Sequence, residues 1–596
     1  MYKWYTPKLR VWKVCHNAEL ILCSTIQSSR TGPTYYGILR VPARYQARWS
    51  WECDLQTSNC RSTLNGNSRA HSTLELCQLV CGKTNYLNVW PYPTGAISSI
   101  KEIVLIAPDT IQFVHKGPQE TEQFLNNVTA YFRDRIKTLV PGHCPTPLNH
   151  VTIALNSLRG DVSLTLDQDE SYTLETQAVG DTLNIQIFGE TVFGVRHGIE
   201  TLLQLLVPYE EKDATCFATL KSVKIKDKPV YRHRGLLLDS ARNYLSTTTI
   251  KKNIDGMAAS KLNVLHWHIT DSQSFPLQLP NLPNMTIYGA YSEKQTYKPD
   301  DIRDIAEYAK IRGVRILIEI DGPSHAGSGW QWGPQAGLGN LAVCINQHPW
   351  RSYCIQPPCG QLNPTNPHLY NTLGTLFKDV TGMVPDINLF HLGGDEVYIP
   401  CWNSTKEIID YLKGKPRTEK TFFDLWGKYH RKALEAYDLA VGHNKTSAVV
   451  WTSHLTDPEV IQKYFPKERY IIQTWVPESS NDLITSLLKL GYRIIISTKD
   501  KWYLDHGFWG NTPFYTWRNV YENKMYDVVD PGILGGEVCM WGELVDDINI
   551  EPRVWPRAAA AAERLWTNPR RDSKSGRYKI FCPQRETVEE RNSRGN

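Results

Sequence analysis

The sequence contains no run of about 18 consecutive apolar residues, the length needed to cross a bilayer, so no membrane span is predicted. It also lacks a strong charge of either sign. The formal net charge is only +5 over 596 residues, which gives no reason to expect nucleic acid or a membrane surface as a partner. With 41% hydrophobic and 21% charged residues, the chain is not intrinsically disordered. Residues 1–30 lack the apolar core and cleavage site of a signal peptide, and we predict none there.

None of the 14 cysteines forms a Cys-x-x-Cys pair, which argues against a structural zinc site. Two groups of cysteines stand close together in the sequence: Cys53, Cys60, Cys77 and Cys81, and Cys344, Cys354, Cys359 and Cys401. Candidate glycosylation sequences of the form Asn-x-Ser/Thr begin at Asn127, Asn284, Asn403 and Asn444. Cysteines and acceptor sites together favour an oxidising compartment of the secretory pathway.

Phenylalanine is scarce beside the other aromatic residues, with 15 Phe against 19 Trp and 30 Tyr. Rings that carry a polar group suit a sugar, because its apolar C–H face stacks on the ring while its hydroxyls need hydrogen bonds. Burial of Trp and Tyr in large cores is the alternative explanation of the same counts.

The first part of the chain predicts a small accessory domain. Residues 1–50 show no clean periodicity and are left unassigned. From residue 51 to residue 230 the mixed pattern predicts an α+β fold. We expect a helix over 120–140, a strand over 151–155, a hairpin over 172–188 with its turn at 180–181, and a helix over 193–206.

After residue 231 short apolar runs recur, each followed by a polar or glycine-rich break and a helical segment. The eight runs are Gly235–Asp239, Asn263–His268, Val314–Asp321, Leu389–Gly393, Ala448–Trp451, Tyr470–Trp475, Tyr492–Ser497 and Ile533–Trp541. Eight strand-plus-helix units predict an α/β fold, a (β/α)8 TIM barrel over 231–567. A doubly wound open sheet is the alternative, but no Gly-x-Gly-x-x-Gly follows the first run. Residues 568–596 form a basic, polar tail.

In such a barrel the active site lies where the strands end at the C-terminal face. Polar or aromatic residues follow all eight runs, which would be unusual for a merely solvated rim. They are Asp239 and Arg242; His266, His268 and Asp271; Asp321 and His325; Asp395 and Glu396; Trp451; Trp475; Tyr503 and Asp505; and Trp541 and Glu543.

The adjacent carboxyl groups of Asp395 and Glu396 are the strongest chemical signal. Neighbouring acids push their pKa values apart, so one can stay ionised while the other holds a proton, as cleavage of a glycosidic bond requires. A salt-bridged or helix-capping pair is the alternative. Two neighbours on one strand end cannot flank a bond from opposite sides. A substrate that carries its own nucleophile, such as a 2-acetamido oxygen, removes this difficulty.

The motifs HLGGDEV (391–397), HRGLLLDSARNY (233–244), LHWHITD (265–271), WYLDHGFWG (502–510) and MWGELVDD (540–547) closely resemble glycoside hydrolase family 20, the β-N-acetylhexosaminidases. The resemblance covers about residues 52–566 and is strongest to insect members that degrade chitooligosaccharides. It implies an exo-acting, retaining hydrolase of terminal β-linked GlcNAc, in which the acetamido group of the substrate is the nucleophile. It also implies a secreted or lysosomal homodimer that needs no cofactor.

The resemblance also implies roles for individual residues. Glu396 would be the general acid/base, Asp395 would orient the acetamido group, and Asp271 with His325 would tune Glu396. The substrate-binding residues would be Arg242, Asp505 and Glu543 for hydroxyls, Tyr503 for the acetamido oxygen, Trp451, Trp475 and Trp541 for the pocket walls, and Trp517 for the next sugar. Cys344 or a neighbour would pair with Cys401, and Cys354 with Cys359. Cys539 reads as a free buried thiol.

Several of these residues have simpler explanations. Trp451 and Trp475 could be ordinary packing, His325 a helix cap, and Arg242 part of a surface ion pair. His266 and His268 are spaced like metal ligands, but no third ligand is evident, and we predict no metal. Two other functions stay open on sequence alone: a sugar-binding protein that lost catalysis, and a barrel glycosidase that uses two of its own carboxylates.

Overall fold

The structure is a computed structural model that describes residues 49–55, 58–64, 71, 73–137, 144, 147–211, 214–384, 389–526 and 529–569. The chain divides into two compact units, one made of residues 1–162, 169–230 and 566–596 and the other of residues 163–168 and 231–565. The predicted N-terminal segment, 1–50, and the predicted tail, 568–596, lie almost wholly outside the described residues.

The first unit is an α+β structure. Its strands are β1 (Trp49–Asp54), β2 (Asn59–Leu64), β3 (Ile97–Ile106), β4 (Ile111–Lys116), β5 (His150–Ser157), β6 (Tyr172–Val179), β7 (Thr182–Gly189), β8 (Val207–Glu211) and β9 (Ala214–Asp227), and its helices are α1 (Leu74–Val80), α2 (Glu122–Lys137) and α3 (Val192–Leu205). Strands β1 and β2 form a hairpin, and the others form one sheet in the order β3-β9-β6-β7-β5-β4, with β8 beside β9.

The predicted hairpin in this unit is confirmed. Strands β6 and β7 pair antiparallel from Tyr172 opposite Gly189 to Val179 opposite Thr182. Gly180 makes the turn with φ +62°, a left-handed value that glycine adopts without strain. Strand β3 was not predicted, because a register shift between Ile100 and Ile103 interrupts its pairing with β9, and its side chains are half exposed.

The second unit is the closed barrel that the eight apolar runs predict. Its strands are β10 (His233–Asp239), β11 (Val264–Thr270), β12 (Arg315–Ile320), β15 (Leu389–His391), β16 (Ser447–Trp451), β17 (Tyr470–Thr474), β18 (Arg493–Ile496) and β19 (Ile533–Met540), while β13 (Ala342–Val343) and β14 (Gln361–Leu362) form a short ribbon after β12. All eight barrel pairings are parallel. Such strands read as nearly continuous apolar runs because both of their faces are buried.

Helices alternate with these strands. They are α4 (Thr247–Ala259), α5 (Pro283–Gly289), α6 (Pro299–Ile311), α7 (Pro367–Met383), α8 (Ile399–Ser404), α9 (Lys406–Tyr411), α10 (Glu419–Val441), α11 (Ile461–Tyr464), α12 (Asn481–Lys489), α13 (Lys499–Trp502), α14 (Trp517–Glu522), α15 (Ile550–Val554) and α16 (Arg557–Thr567). No helix among the described residues is both long and apolar enough to span a membrane.

The barrel interior is layered. An apolar layer is made by Val264, Leu317, Leu389, Val449, Ile471, Ile495 and Leu534. A second cluster contains Leu237, Trp451, Tyr503 and Cys539, with Trp475 and Trp541 packed against it. The second cluster consists mostly of predicted site residues, so the pocket walls are continuous with the core of the barrel.

Five disulfide bonds connect described cysteines. They are Cys53–Cys81, Cys60–Cys77, Cys144–Cys216, Cys344–Cys401 and Cys354–Cys359. The last two are the pairs that the family resemblance implied. Cys539 is free and buried, as predicted. Of the four candidate glycosylation sites, Asn403 and Asn444 are exposed, whereas Asn127 on α2 and Asn284 on α5 are half-buried.

Candidate active site

Asp395 and Glu396 lie in the loop that leaves β15, at the C-terminal end of the barrel. The backbone there depends on two glycines, with φ +60° at Gly393 and +102° at Gly394. A Cβ on Gly393 would lie 1.6 Å from Asp321 Oδ1, and that same oxygen accepts the N–H of Gly394 at 3.1 Å. The Gly-Gly sequence therefore lets the chain turn tightly over Asp321 and present both acids.

His325 joins the acid pair to Asp271. Its Nε2 lies 3.4 Å from Glu396 Oε2 and 3.9 Å from Asp395 Oδ2, while its Nδ1 lies 3.2 Å from Asp271 Oδ2. The Asp271 side chain is fully buried, and those of Asp395 and Glu396 are 15% and 27% exposed. The predicted line from Asp271 through His325 to Glu396 is thus present as geometry, and His325 does not act as a simple helix cap.

The electrostatic environment separates the two acids, but in the free protein the order is the reverse of their implied roles, since the pKa of Asp395 is raised and that of Glu396 is lowered. Burial, opposed by His325 and reinforced by the Glu396 charge, raises the pKa of Asp395 to about 6. Burial also acts to raise the pKa of Glu396, but the hydrogen bond and charge of His325 outweigh it and lower that pKa below its ordinary value. Although burial opposes it, the Asp271 carboxylate raises the pKa of His325 well above its ordinary value. In the free protein these two shifts favour a protonated His325 beside an ionised Glu396.

Arg242 is buried, which excludes the surface ion pair that the sequence left open. Its guanidinium contacts Asp239 at 3.2 Å and Asp271 at 2.8 Å. It also donates to Gln356 Oε1 at 3.0 Å, and Gln356 Nε2 in turn donates to Glu543 Oε1 at 2.8 Å. Gln356 therefore bridges two predicted substrate-binding residues. Sequence reasoning missed it because it stands in a loop between two cysteines, far from any strand end.

Four aromatic residues enclose the other side of the site. Trp541 lies 6.0 Å from Trp451 and 6.1 Å from Tyr503, measured between ring centroids. Trp451 is only 1% exposed and donates its indole N–H to Glu319, so it is packed as well as adjacent to the pocket. Trp475 donates to the carbonyl of Thr452 at 2.8 Å. These contacts make a preformed aromatic wall.

Asp505 and Trp517 have different surroundings. Burial raises the pKa of Asp505 to about 7, and its Oδ2 accepts the indole N–H of Trp509 at 2.8 Å. Trp517 begins α14 and has Arg518 over its ring at 5.5 Å. Trp509 is 46% exposed. Unlike the half-buried Trp517, it is an exposed tryptophan beside Asp505, and it was not predicted as a site residue although it stands within WYLDHGFWG.

Within the part of the chain that the structure describes, three groups of side chains bring possible metal-ligating atoms within 4.8 Å of one another: His266, Glu319 and His391; His268, Glu319 and Asp321; and Asp271, Asp321 and His325. Glu319, which two of these groups share, stands inside an apolar run and was not predicted, whereas Asp271, Asp321 and His325 were already candidates from the sequence. Protein donors already use several of the lone pairs. His391 Nδ1 accepts the N–H of Gly393, and Glu319 accepts those of Trp451 and His268. The donor sets therefore fit a hydrogen-bonded network.

Both the barrel and the accessory unit resemble known protein families. Residues 231–569 match glycosyl hydrolase family 20, catalytic domain, and residues 89–205 match a beta-acetyl hexosaminidase like domain. The chitooligosaccharidolytic beta-N-acetylglucosaminidase of Ostrinia furnacalis is 36% identical over 554 residues, which cover 89% of this chain and 91% of that protein. The probable beta-hexosaminidase fdl of Drosophila melanogaster is 35% identical over 586 residues, covering 89% and 85%.

Among solved structures, the chitobiase of Flavobacterium johnsoniae superposes with a TM-score of 0.64 at 25% identity. The match covers 81% of this chain and 70% of that one.

Proposed function

The chain belongs to glycosyl hydrolase family 20, and from this premise we propose that it removes terminal β-linked GlcNAc from chitooligosaccharides through Asp395 and Glu396. As a family member it is a glycosidase, a β-N-acetylhexosaminidase with the family's substrate-assisted retaining mechanism. The observation that carries the residue assignment is the adjacent acid pair at the exit of β15, backed by His325 and Asp271 and facing an aromatic wall.

Glu396 is the proposed general acid. The acid must give a proton to the leaving oxygen, and His325 Nε2, 3.4 Å from Glu396 Oε2, holds that proton in the free protein. Transfer from His325 to Glu396 converts an ion pair into a neutral pair without changing the net charge of the site. Asp271 anchors His325 through Nδ1 and keeps its ring aimed at Glu396. After cleavage the same carboxylate would take a proton from the attacking water.

Asp395 is the proposed partner of the acetamido group. Its ionised form would accept the acetamido N–H, turn the carbonyl oxygen toward the anomeric carbon and stabilise the positive charge that develops there. Burial makes this interaction strong, but it also raises the pKa of Asp395 to about 6. We therefore expect the reaction to need a pH above that value.

The remaining contacts suit a sugar in the −1 position. Arg242, Gln356, Glu543 and Asp505 provide donors and acceptors for hydroxyls, and a ligand hydroxyl would replace the Gln356 contacts at 3.0 and 2.8 Å. Trp451, Trp475, Trp541 and Tyr503 would enclose the acetamido methyl group. Half-buried Trp517 or exposed Trp509 would stack the next sugar. The chitooligosaccharide substrate is supported by the names of the Ostrinia relative and of the Flavobacterium chitobiase.

The test compares hydrolysis of an aryl β-N-acetylglucosaminide with that of the matching aryl β-glucoside. Cleavage of the first alone supports acetamido participation, whereas equal cleavage of both means that the protein supplies its own nucleophile. A folded protein that binds GlcNAc and cleaves neither is a binding protein. The substrate preference is tested by comparing the rate at which single GlcNAc units are released from chitotriose with the rate at which an aryl β-N-acetylgalactosaminide is hydrolysed.

We also propose the organisation that surrounds this site: an accessory domain over 51–230, a catalytic barrel over 231–567, secretion, and a homodimer. The five disulfide bonds and the exposed Asn403 and Asn444 support an oxidising, glycosylating compartment. Loss of mass on treatment with an endoglycosidase tests glycosylation, and sedimentation velocity tests the dimer.

A further inference from the structure

A column of buried ionisable groups runs through the barrel from the site toward the opposite end. Histidines and carboxylates alternate along it, so each group contacts groups of the other kind. The successive contacts are His325–Asp271 at 3.2 Å, Asp271–His268 at 2.9 Å, His268–Glu319 at 2.5 Å, Glu319–His266 at 3.1 Å, His266–Glu537 at 3.0 Å and Glu537–His233 at 3.1 Å. The proposed reaction uses only the first two members.

Glu319 contacts the side chains of four other barrel residues. Its side chain is fully buried on β12. One carboxylate oxygen accepts the indole N–H of Trp451 at 2.7 Å and lies 3.1 Å from His391 Nδ1. The other oxygen contacts His268 Nδ1 at 2.5 Å and His266 Nε2 at 3.1 Å. The donors on Trp451 and His268 satisfy one oxygen each, as a buried carboxylate requires.

Two of these contacts lead directly to the proposed site. Trp451 packs against Trp541 in the aromatic wall. His268 contacts Asp271 Oδ2 at 2.9 Å and lies 3.1 Å from Arg242 Nη1. The Glu319 carboxylate therefore fixes the aromatic wall that would hold the acetamido group. It also fixes the pair of Arg242 and Asp271, of which Arg242 would bind hydroxyls and Asp271 holds His325.

We propose that Glu319 is a positioning residue that aligns the Trp451 wall with the Arg242–Asp271 pair and adds a fixed negative charge beneath the acid pair. This inference rests on the proposed function and adds to it a residue that does not touch the substrate. Misplacing reacting groups by about 1 Å can cost up to about a hundredfold in rate, so the alignment is expected to be measurable.

The charge of Glu319 also acts on Asp395. The ionisable groups around Glu319 are His266 and His268 on β11, His391 on β15, Cys539 on β19, and Asp321 in the loop directly after β12. Those around Asp395 are Glu396, His325, Asp321 and Tyr503. Burial is the largest cause of the raised pKa of Asp395, and the charges of Glu396 and Glu319 add to it. Loss of the Glu319 charge should therefore lower that pKa.

Two substitutions separate alignment from charge. Glu319→Asp keeps the charge but shortens the side chain, so it cannot hold Trp451 and His268 together. We expect kcat/KM for an aryl β-N-acetylglucosaminide to fall at least about tenfold, with the acidic limb of its pH profile still near pH 6. Glu319→Gln keeps the length and loses the charge, so the acidic limb should move to lower pH and kcat/KM should also fall.

Glu200→Gln is the matched control. Glu200 is equally buried and pairs with Arg196 at 2.5 Å in the accessory unit. Its substitution should lower the melting temperature without moving kcat/KM or the acidic limb. The proposal is wrong, and Glu319 is only structural, if both Glu319 variants fold with kcat/KM within about twofold of wild type and with the acidic limb of the pH profile unmoved. If Glu319→Gln does not fold, the kcat/KM of Glu319→Asp decides. A wild-type protein that leaves the substrate intact would instead overturn the proposed function.

Discussion

Replacing Glu396 by Gln removes the proposed acid while keeping the size of the side chain. The side chain is 27% exposed, and its contact with His325 at 3.4 Å is longer than a strong hydrogen bond. The backbone at Glu396 has φ +51°, which Gln adopts at a similar cost. We therefore expect the free energy of unfolding to change by less than about 1 kcal/mol, so that any loss of activity reports on chemistry.

The size of the effect follows from the role of the acid. General acid catalysis contributes about 10²- to 10⁴-fold, which is about 3–5 kcal/mol of transition-state stabilisation. That loss should appear in full for chitobiose, whose leaving sugar hydroxyl needs a proton. It should be less than about tenfold for a dinitrophenyl N-acetylglucosaminide, because an acidic phenol leaves without protonation. The same variant should therefore show very different losses on the two substrates.

The substitution should also move the pH profile. The Glu396 charge is one cause of the raised pKa of Asp395, after burial. Asp395 must be ionised to accept the acetamido N–H, so the wild-type kcat/KM should fall as the pH drops through about 6. Without the Glu396 charge the Asp395 carboxyl loses its proton at lower pH, and the acidic limb should move in that direction.

The assay is kcat/KM from pH 4 to 9 for both substrates with wild type and Glu396→Gln, with melting temperatures measured on the same samples. Values of kcat/KM report only the steps up to the attack of the acetamido oxygen on the anomeric carbon. Slow hydrolysis of the intermediate formed by that attack therefore does not obscure the comparison. Equal losses on chitobiose and on the dinitrophenyl substrate would refute the acid role. If Glu396→Gln cleaved chitobiose as fast as the wild type, the assignment of Glu396 to the site would be refuted.

Three further predictions concern the surroundings of the acid. Asp395→Asn should lower kcat/KM about 10²- to 10³-fold and remove the acidic limb of the pH profile near pH 6. If the residual activity still showed that limb, the titration would belong to another group. Trp517→Ala should raise KM about fivefold for chitotriose but not for an aryl monosaccharide. Trp509→Ala should raise KM for both substrates, because the Trp509 indole N–H holds Asp505, a predicted hydroxyl-binding residue. Identical results for the two variants would contradict this. Replacing Cys354 and Cys359 by Ser frees the loop that carries Gln356, so KM should rise with kcat nearly unchanged. The free energy of unfolding should fall by about 2 kcal/mol. An unchanged KM would show that the disulfide does not position that loop.

The barrel was predictable because its signal is local. Each parallel strand is buried on both faces and appears as a short apolar run, and the residues that follow must lie at one end of the barrel. All eight runs overlap the observed strands. The long strands β3 and β9 of the accessory sheet escaped prediction. In β3 an irregular register and half-exposed side chains blur the alternation of a strand.

The site was predictable only in part. Asp395, Glu396 and Arg242 stand at strand exits in distinctive motifs, so the sequence alone could propose them as site residues. Gln356 and Glu319 gave no such signal. Gln356 is in a loop whose path is set by the Cys354–Cys359 bond, and Glu319 is a lone acid inside an apolar run.

The sequence by itself determined the family, the closed barrel and the acids that would carry the chemistry, because each depends on residue types at short spacing. Only the tertiary structure decided how those residues share protons. Glu319 and Glu537 are 218 residues apart, yet both contact His266 because closure of the barrel brings β12 and β19 beside β11 and β10. The pKa of an acid depends on burial and on charges within a few ångströms, whatever their distance along the chain. Spacing along the chain therefore predicts which residues react, and packing decides which of them holds the proton.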